Sequence, residues 1–263
     1  MSCARATDEA RRVFPPLHPE LGAIHIAGAA RVDGRLLAAA FCNAAGGRGA
    51  KVLAGPAGLL ARAGRIAGIM VGHEVMEADR VVVAAGAWAP TLLAPLGVDL
   101  AVWPQRGQIS HLRLEGVHTS EWPVVLPPGG HYLLAFDDSR VVVGATRETG
   151  AGFDYRVTAA GQAKVLNEAL TIAPGLASAT LIETRIGFRP VGPGIRPMLG
   201  TVEGFAERLI VGNGLGPSGL TIGPYAGRLL AQLAIGETTD IALAPYDPFR
   251  VPAAGAADDL LVR

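Results

Sequence analysis

Cysteine is scarce in this chain. Cys3 and Cys42 are the only two in 263 residues, and their spacing makes neither a disulfide framework nor a metal or redox motif. A reducing, cytoplasmic setting is the expectation. Excess charge of one sign is missing too: 23 basic residues balance 23 acidic ones, so nothing advertises a nucleic-acid or membrane partner. His18, His25, His73, His111, His118 and His131 are scattered without ligand spacing, and no metal is expected. The start, MSCARATDEARRVF, has no basic segment leading into an apolar one, as a secretion signal would. A long apolar run does occur from Val81 to Trp103, with Asp99 as its single charge. Gly86, Pro90, Pro95 and Gly97 divide it into a strand, a turn and a short helix rather than a membrane span.

What remains is apolar and foldable. Hydrophobic residues make up 50% of the chain and charged ones 17%, a balance that suits one large or two modest cores. RLLAAAFCNAAGGRG has helical spacing that stops at its glycines, and AKVLAG reads as a short buried strand. RIAGIMV turning through GHEVMEA reads as a meander leading into RVVVAA. The valine run Val81 to Val83 suits a strand buried on both faces, as in a parallel sheet. Beyond Trp103 the pattern changes. QISHLRL, YLLAF and RVVVGAT are strands, the last two forming a hairpin through DDS. TAAGQAKVLNEALTIAPG is an amphipathic helix capped by Thr158, and RLIVGN followed by SGLTIGPYAGRLLAQLAIG returns to strand and helix. The chain thus visits a parallel α/β layer, leaves it for an antiparallel α+β layer, and comes back.

Between that last strand and helix stands GLGPSG, Gly214 to Gly219, which spells a dinucleotide fingerprint. Two features argue against a pyrophosphate there. Pro217 lacks the N–H a phosphate would use, and the residues before Asp240 read as a turn rather than the second strand of a β-α-β unit. Ser218 as a hydrolase nucleophile meets a similar objection, because Leu220 stands where the nucleophile elbow has glycine. Arg189, before Pro190 and expected in a loop of the Gly/Pro-rich ETRIGFRPVGPGIRPMLG, is either a carboxylate clamp or a surface arginine in a structural ion pair. Tyr132, opening YLLAF, either reaches the same ligand or packs as a strand aromatic.

Five motifs in one order carry a resemblance: RVVVAAGAWAPTLLAPLG, PQRGQ, HYLLAF with RVVVGATRETG, IGFRPVGPGIRPMLG, and LIVGNGLGPSGLTIGPYAGRLLAQL. From about Phe14 to Gly236 the chain resembles the FAD-dependent amine oxidoreductases of the D-amino-acid oxidase, glycine oxidase and sarcosine oxidase group. The resemblance implies oxidation of a small amine or amino acid to its imine, with hydride passing to the flavin of FAD. It implies Arg189 as the substrate-carboxylate arginine and Tyr132 as the hydroxyl beside it. Gly86, Ala87 and Trp88 match the turn passing near the flavin. Gly214, Leu215, Gly216, Pro217, Ser218, Gly219, Leu220 and Thr221 match the loop and helix start whose N–H groups face the flavin's pyrimidine oxygens, although relatives often have histidine where Leu215 stands. Gly58 matches a backbone contact to adenine.

The fold class implied is α/β with α+β: an incomplete FAD-binding parallel-sheet domain interleaved with an antiparallel-sheet substrate domain. Residues 27–100 and 185–245 fall to the first, 13–26 and 101–184 to the second, and 246–263 form a C-terminal tail. The family's N-terminal β-α-β unit, which carries the pyrophosphate cradle, is expected before Phe14 and is not among these residues. Its absence would leave RLIVGN with an unpaired edge. Two expectations follow. Either the cradle comes from an upstream segment or a partner chain and the protein is an enzyme, inactive alone, or the chain is a non-catalytic remnant or subunit that pairs with a partner chain.

Overall fold

The computed structural model describes residues 2–194 and 196–250. The last thirteen residues of the expected C-terminal tail lie outside the described residues. In chain order the elements are β1 (Ser2–Arg5), α1 (Thr7–Val13), β2 (Ala23–Ile26), α2 (Gly34–Gly46), β3 (Ala57–Arg62), β4 (Arg65–Val71), β5 (Glu74–Glu77), β6 (Val81–Val83), α3 (Ala89–Leu93), β7 (Trp103–Arg113), β8 (Tyr132–Ala135), β9 (Arg140–Gly144), α4 (Ala159–Ile172), β10 (Thr180–Val191), β11 (Met198–Thr201), β12 (Leu209–Asn213) and α5 (Gly219–Ile235). Two compact units result. Residues 2–31 with 106–188 form the first, and 32–105 with the described residues from 189 onward form the second.

In the first unit β1 pairs with β2, and a four-stranded sheet runs in the order β10-β7-β9-β8. β8 and β9 are the antiparallel hairpin that the DDS turn predicts. One face of the sheet carries Leu112, Leu133, Val141 and Val143, which pack against Phe14 and against Val165 and Ala169 of α4. Alternation along each strand puts these side chains on one side of the pleat. Helix α4 begins where the sequence marks it: the Thr158 hydroxyl accepts from Gly161 N. The Gln108 carboxamide locks this start, donating to Thr158 Oγ1 at 2.9 Å and accepting from Thr158 N at 3.1 Å. Gly161 has to be glycine for that approach, since a Cβ there would lie 2.0 Å from Gln108 Nε2.

The second unit holds the antiparallel meander β3-β4-β5 and a mixed sheet in the order β11-β12-β6. β12 pairs in parallel with β6 and antiparallel with β11. RLIVGN is therefore a central strand among the described residues, not the unpaired edge expected of it, because MLGT adds as β11 on one side. β6 is an outer strand, as is β11. Val81 and Val83 are buried with Leu209, Val211, Leu93 and Met198, yet Val82 is 37% exposed. Helix α5 packs Leu229 and Leu230 on Ile210 and Leu199, while Val82, the partner of Ile210 in the register, stays partly exposed, which corrects the two-faced burial expected for this strand. Gly236, left-handed at φ +78°, ends α5, and Arg80 NH1 donates to the Ala234 carbonyl at 2.9 Å.

Helix α2 is capped by Asp33, whose carboxylate accepts from Arg35 N and Leu36 N, yet it buries no residue. The AKVLAG segment that follows is not the buried strand expected: residues 50–55 are exposed and outside any sheet. β propensity makes a strand only where a neighbour offers a ladder. No helix among the described residues is long and apolar enough to cross a membrane.

Candidate functional site

The parallel register aligns Leu209 with Val81, Ile210 with Val82 and Val211 with Val83. Both strands consequently leave the sheet at the same, carboxyl end, where open α/β sheets bind ligands. After β6 the backbone turns through a short 3₁₀ helix at Gly86–Trp88, and after β12 through another at Gly216–Ser218 that runs into α5. Gly86, Gly214 and Gly216 sit at φ +52°, +66° and +49°, a region in which only glycine is at ease. The sequence-predicted residues Gly86 to Trp88 and Gly214 to Thr221 are thus brought to one end of one sheet.

A single buried side chain ties the two turns. Asn213 Nδ2 donates to the Gly86 carbonyl at 2.8 Å, and Asn213 Oδ1 accepts from Gly214 N at 2.8 Å. Asn213 is not among the sequence-predicted site residues, although a polar residue closing the apolar run LIVG is itself a signal that its amide is used.

Several features of this end fit a ligand that carries negative charge. No side chain caps the N-terminus of α5, a helix of seventeen residues whose first amides and dipole favour negative charge. A Cβ at Gly86, Gly216 or Gly219 would meet nothing within 4 Å, so each backbone faces open space. Trp88 and Leu220 are exposed beside these turns. An apolar groove of about 520 Å³ runs between Leu37, Ala38 and Phe41 of α2 and Gly219, Leu220 and Gly223 of α5. Its one charged lining residue, Arg228, is held by Asp240 at 2.7 Å. Asp240, which follows α5, is therefore engaged with that helix through Arg228 and Gln232.

The remaining candidates are spread across other elements. Gly58 lies in β3, in the separate meander, and a Cβ there would meet nothing within 4 Å. Tyr132 opens β8 opposite Gly144. Its face of the sheet is the one away from the first unit's core, shared with His111 and Val142. Arg189 is not in a loop, as its Gly/Pro surroundings suggested, but within β10, which continues to Val191. Thr184 bonds Ser110 on the α4 side, and Glu183 approaches His111 on the other. Alternation gives Arg189 the parity of Glu183.

The first unit also holds a charged cluster around the buried Arg106 that lies outside the sequence-predicted site. Arg106, in the PQRGQ motif, donates through Nε to Glu148 at 2.9 Å and pairs with Asp154 at 2.8 Å. Burial alone would push the Glu148 carboxyl up. Hydrogen bonds from Thr146 at 2.6 Å, Gln108 at 2.7 Å and Arg106 outweigh it and hold that carboxyl below its ordinary range. Asp154 is held lower still, first by Arg156 and then by Arg106.

Comparison with known proteins bears directly on these motifs. The model of the DAO family, described as FAD dependent oxidoreductase, matches residues 4–233. An uncharacterized oxidoreductase, YurR, of Bacillus subtilis strain 168 is 47% identical over 92% of this chain and 65% of its own length. Glycine oxidase of Pseudomonas aeruginosa is 33% identical over 70% of this chain and 49% of its own. Among solved structures, iminodiacetate oxidase from Chelativorans sp. BNC1 superposes with a TM-score of 0.90 at 54% identity, covering 94% of this chain and 67% of that one. Glycine oxidase from Geobacillus kaustophilus gives a TM-score of 0.82 at 29% identity. The chain spans about half to two thirds of the length of these curated relatives.

Proposed function

Because the chain belongs to the DAO family of FAD-dependent oxidoreductases, we propose that it serves in the oxidation of a small amine or amino acid to its imine. The observation that carries this reading is the pair of glycine turns at the shared carboxyl end of β6 and β12, with the uncapped start of α5 beside them. Bound there, FAD would supply the two-electron acceptor for a hydride leaving the substrate carbon.

The protein's own residues do the rest. The amides of Gly216 and of Gly219 to Thr221 would hold the electron-rich edge of the flavin ring and would favour negative charge there. Leu215 and Pro217 shape that loop without adding an N–H from Pro217. Gly86, Ala87 and Trp88 line the adjoining turn, and Gly58 lets backbone approach the adenine end. Arg189 would clamp a substrate carboxylate through two parallel hydrogen bonds, and Tyr132 would offer its hydroxyl to substrate. The pyrophosphate falls to a β-α-β unit supplied by other residues, from the same polypeptide or a partner. Exposed Cys42 suits a reducing, cytoplasmic setting.

The test is a titration with FAD, alone and with a β-α-β unit of a glycine oxidase added in trans, followed by anaerobic addition of glycine, iminodiacetate or a D-amino acid. Flavin that is bound and then bleached supports the reading; absence of bound flavin under both conditions ends it. A second reading, a non-catalytic subunit that pairs with a partner chain, is favoured by the uncovered apolar side chains of Leu36, Phe41, Val52 and Leu53. It predicts a complex that forms without flavin.

A further inference from the structure

We propose that Asn213 is a positioning residue for the flavin, fixing the turn after β6 and the loop after β12 relative to each other through one side chain. The inference rests on the reading that these two turns receive the cofactor, and it adds the residue that holds them in register.

Asn213 is 1% exposed and ends a strand whose Leu209, Ile210 and Val211 are fully buried. A buried carboxamide at such a place is costly unless its polar atoms are used, and here both ends are. The nitrogen holds the carbonyl of Gly86 and the oxygen holds the amide of Gly214, each at 2.8 Å. The two partners are themselves left-handed glycines, so the bonds fall on the residues whose unusual backbone sets the course of each turn. Met198, paired with Asn213 across β11, closes the other side. A Cβ on Gly214 would lie 3.0 Å from Met198 Cγ. Packing alone would accept leucine at position 213. Only a side chain with a donor at one end and an acceptor at the other can grip both turns, so the spacing between the Gly86–Trp88 turn and the α5 amides is set before a ligand arrives.

The experiment compares Asn213→Leu and Asn213→Ala with the wild-type chain, using two readouts. Without flavin, hydrogen exchange is expected to speed up in peptides covering 85–89 and 213–219 while β3 to β5 are unchanged. With FAD and the added β-α-β unit, binding is expected to weaken about tenfold, the scale of one lost hydrogen bond. The visible spectrum of the bound flavin is expected to shift while the urea midpoint of the meander holds. Unchanged exchange at 85–89 in a folded variant overturns the brace. Faster exchange with unaltered flavin affinity and spectrum makes Asn213 purely structural and overturns its positioning role. A wild-type chain that binds no flavin sinks the functional reading instead. Should both variants fail to fold, nitrogen-15 spectra of the wild type decide: slowly exchanging Asn213 side-chain protons are required, and fast exchange refutes the brace.

Discussion

The phenolic oxygen of Tyr132 lies over Gly144, 3.1 Å from where a Cβ on that glycine would stand, and Ile109 Cγ2 crowds the same point at 2.6 Å. Gly144 is buried at the end of β9, directly opposite both residues in the sheet. A methyl group there forces Ile109 or Tyr132 off its place. Gly144→Ala should lose about 1–3 kcal/mol of stability, the scale of core overpacking, as read by urea unfolding. An unchanged midpoint would mean that the sheet opens to accept it and that Tyr132 is not fixed by this contact.

The start of α4 offers a cleaner loss. Thr158→Ala removes the cap from Gly161 N and one partner of the Gln108 carboxamide. The expected cost is about 1–2 kcal/mol, recovered by Thr158→Ser, in which the oxygen is kept. A serine variant as unstable as the alanine one would show that the methyl, not the hydroxyl, matters.

These two cases also mark what can be read in the sequence. Thr158, Gly236 and the DDS turn are local signals, decided within a few residues, so α4, α5 and the β8–β9 hairpin are legible from neighbouring residues alone. Residues 50–55 are not: their composition suits a strand, but pairing is a property of a neighbour far along the chain, and among the described residues none pairs with them. MLGT escapes notice as β11 because the Gly/Pro-rich segment before it hides a strand that its pairing with β12 creates. Of the site, the motif order and the glycine turns are visible as letters. Asn213 is not, since its partner Gly86 lies 127 residues away.

Acid should unfold the first unit early. Glu148 and Asp154 both sit below their ordinary range in the folded chain, so the unfolded chain takes up protons first as pH falls. Their stabilisation is therefore complete above the unfolded carboxylate values of about 4 and drains away below them. Glu148→Gln should flatten that acid limb in a thermal-melt series between pH 3 and 7, and an equally steep limb would place the sensitivity elsewhere.

Helix α2 buries no residue fully, and a helix of thirteen residues with so little cover is marginal in water. Its exposed Leu36 and Phe41 are then expected to draw chains together as concentration rises. Leu36→Lys with Phe41→Lys should reduce that association in sedimentation velocity and leave the melting of the mixed sheet alone. Equal association of variant and wild type would remove α2 from the contact.

Arg189 separates a clamp from an ion pair by the way it fails. If its guanidinium holds substrate carboxylate, Arg189→Ala in flavin-loaded enzyme should raise KM for amino acids by about tenfold or more, with kcat changed less, because binding shared by ground and transition states is what is lost. Arg189→Lys should restore only part, since an ammonium keeps the charge without the two-pronged geometry. A simple amine without a carboxylate is the internal control and should react equally well in all three. A structural arginine would reverse the pattern: the urea midpoint would fall, amine and amino acid would suffer alike, and the carboxylate role would be gone.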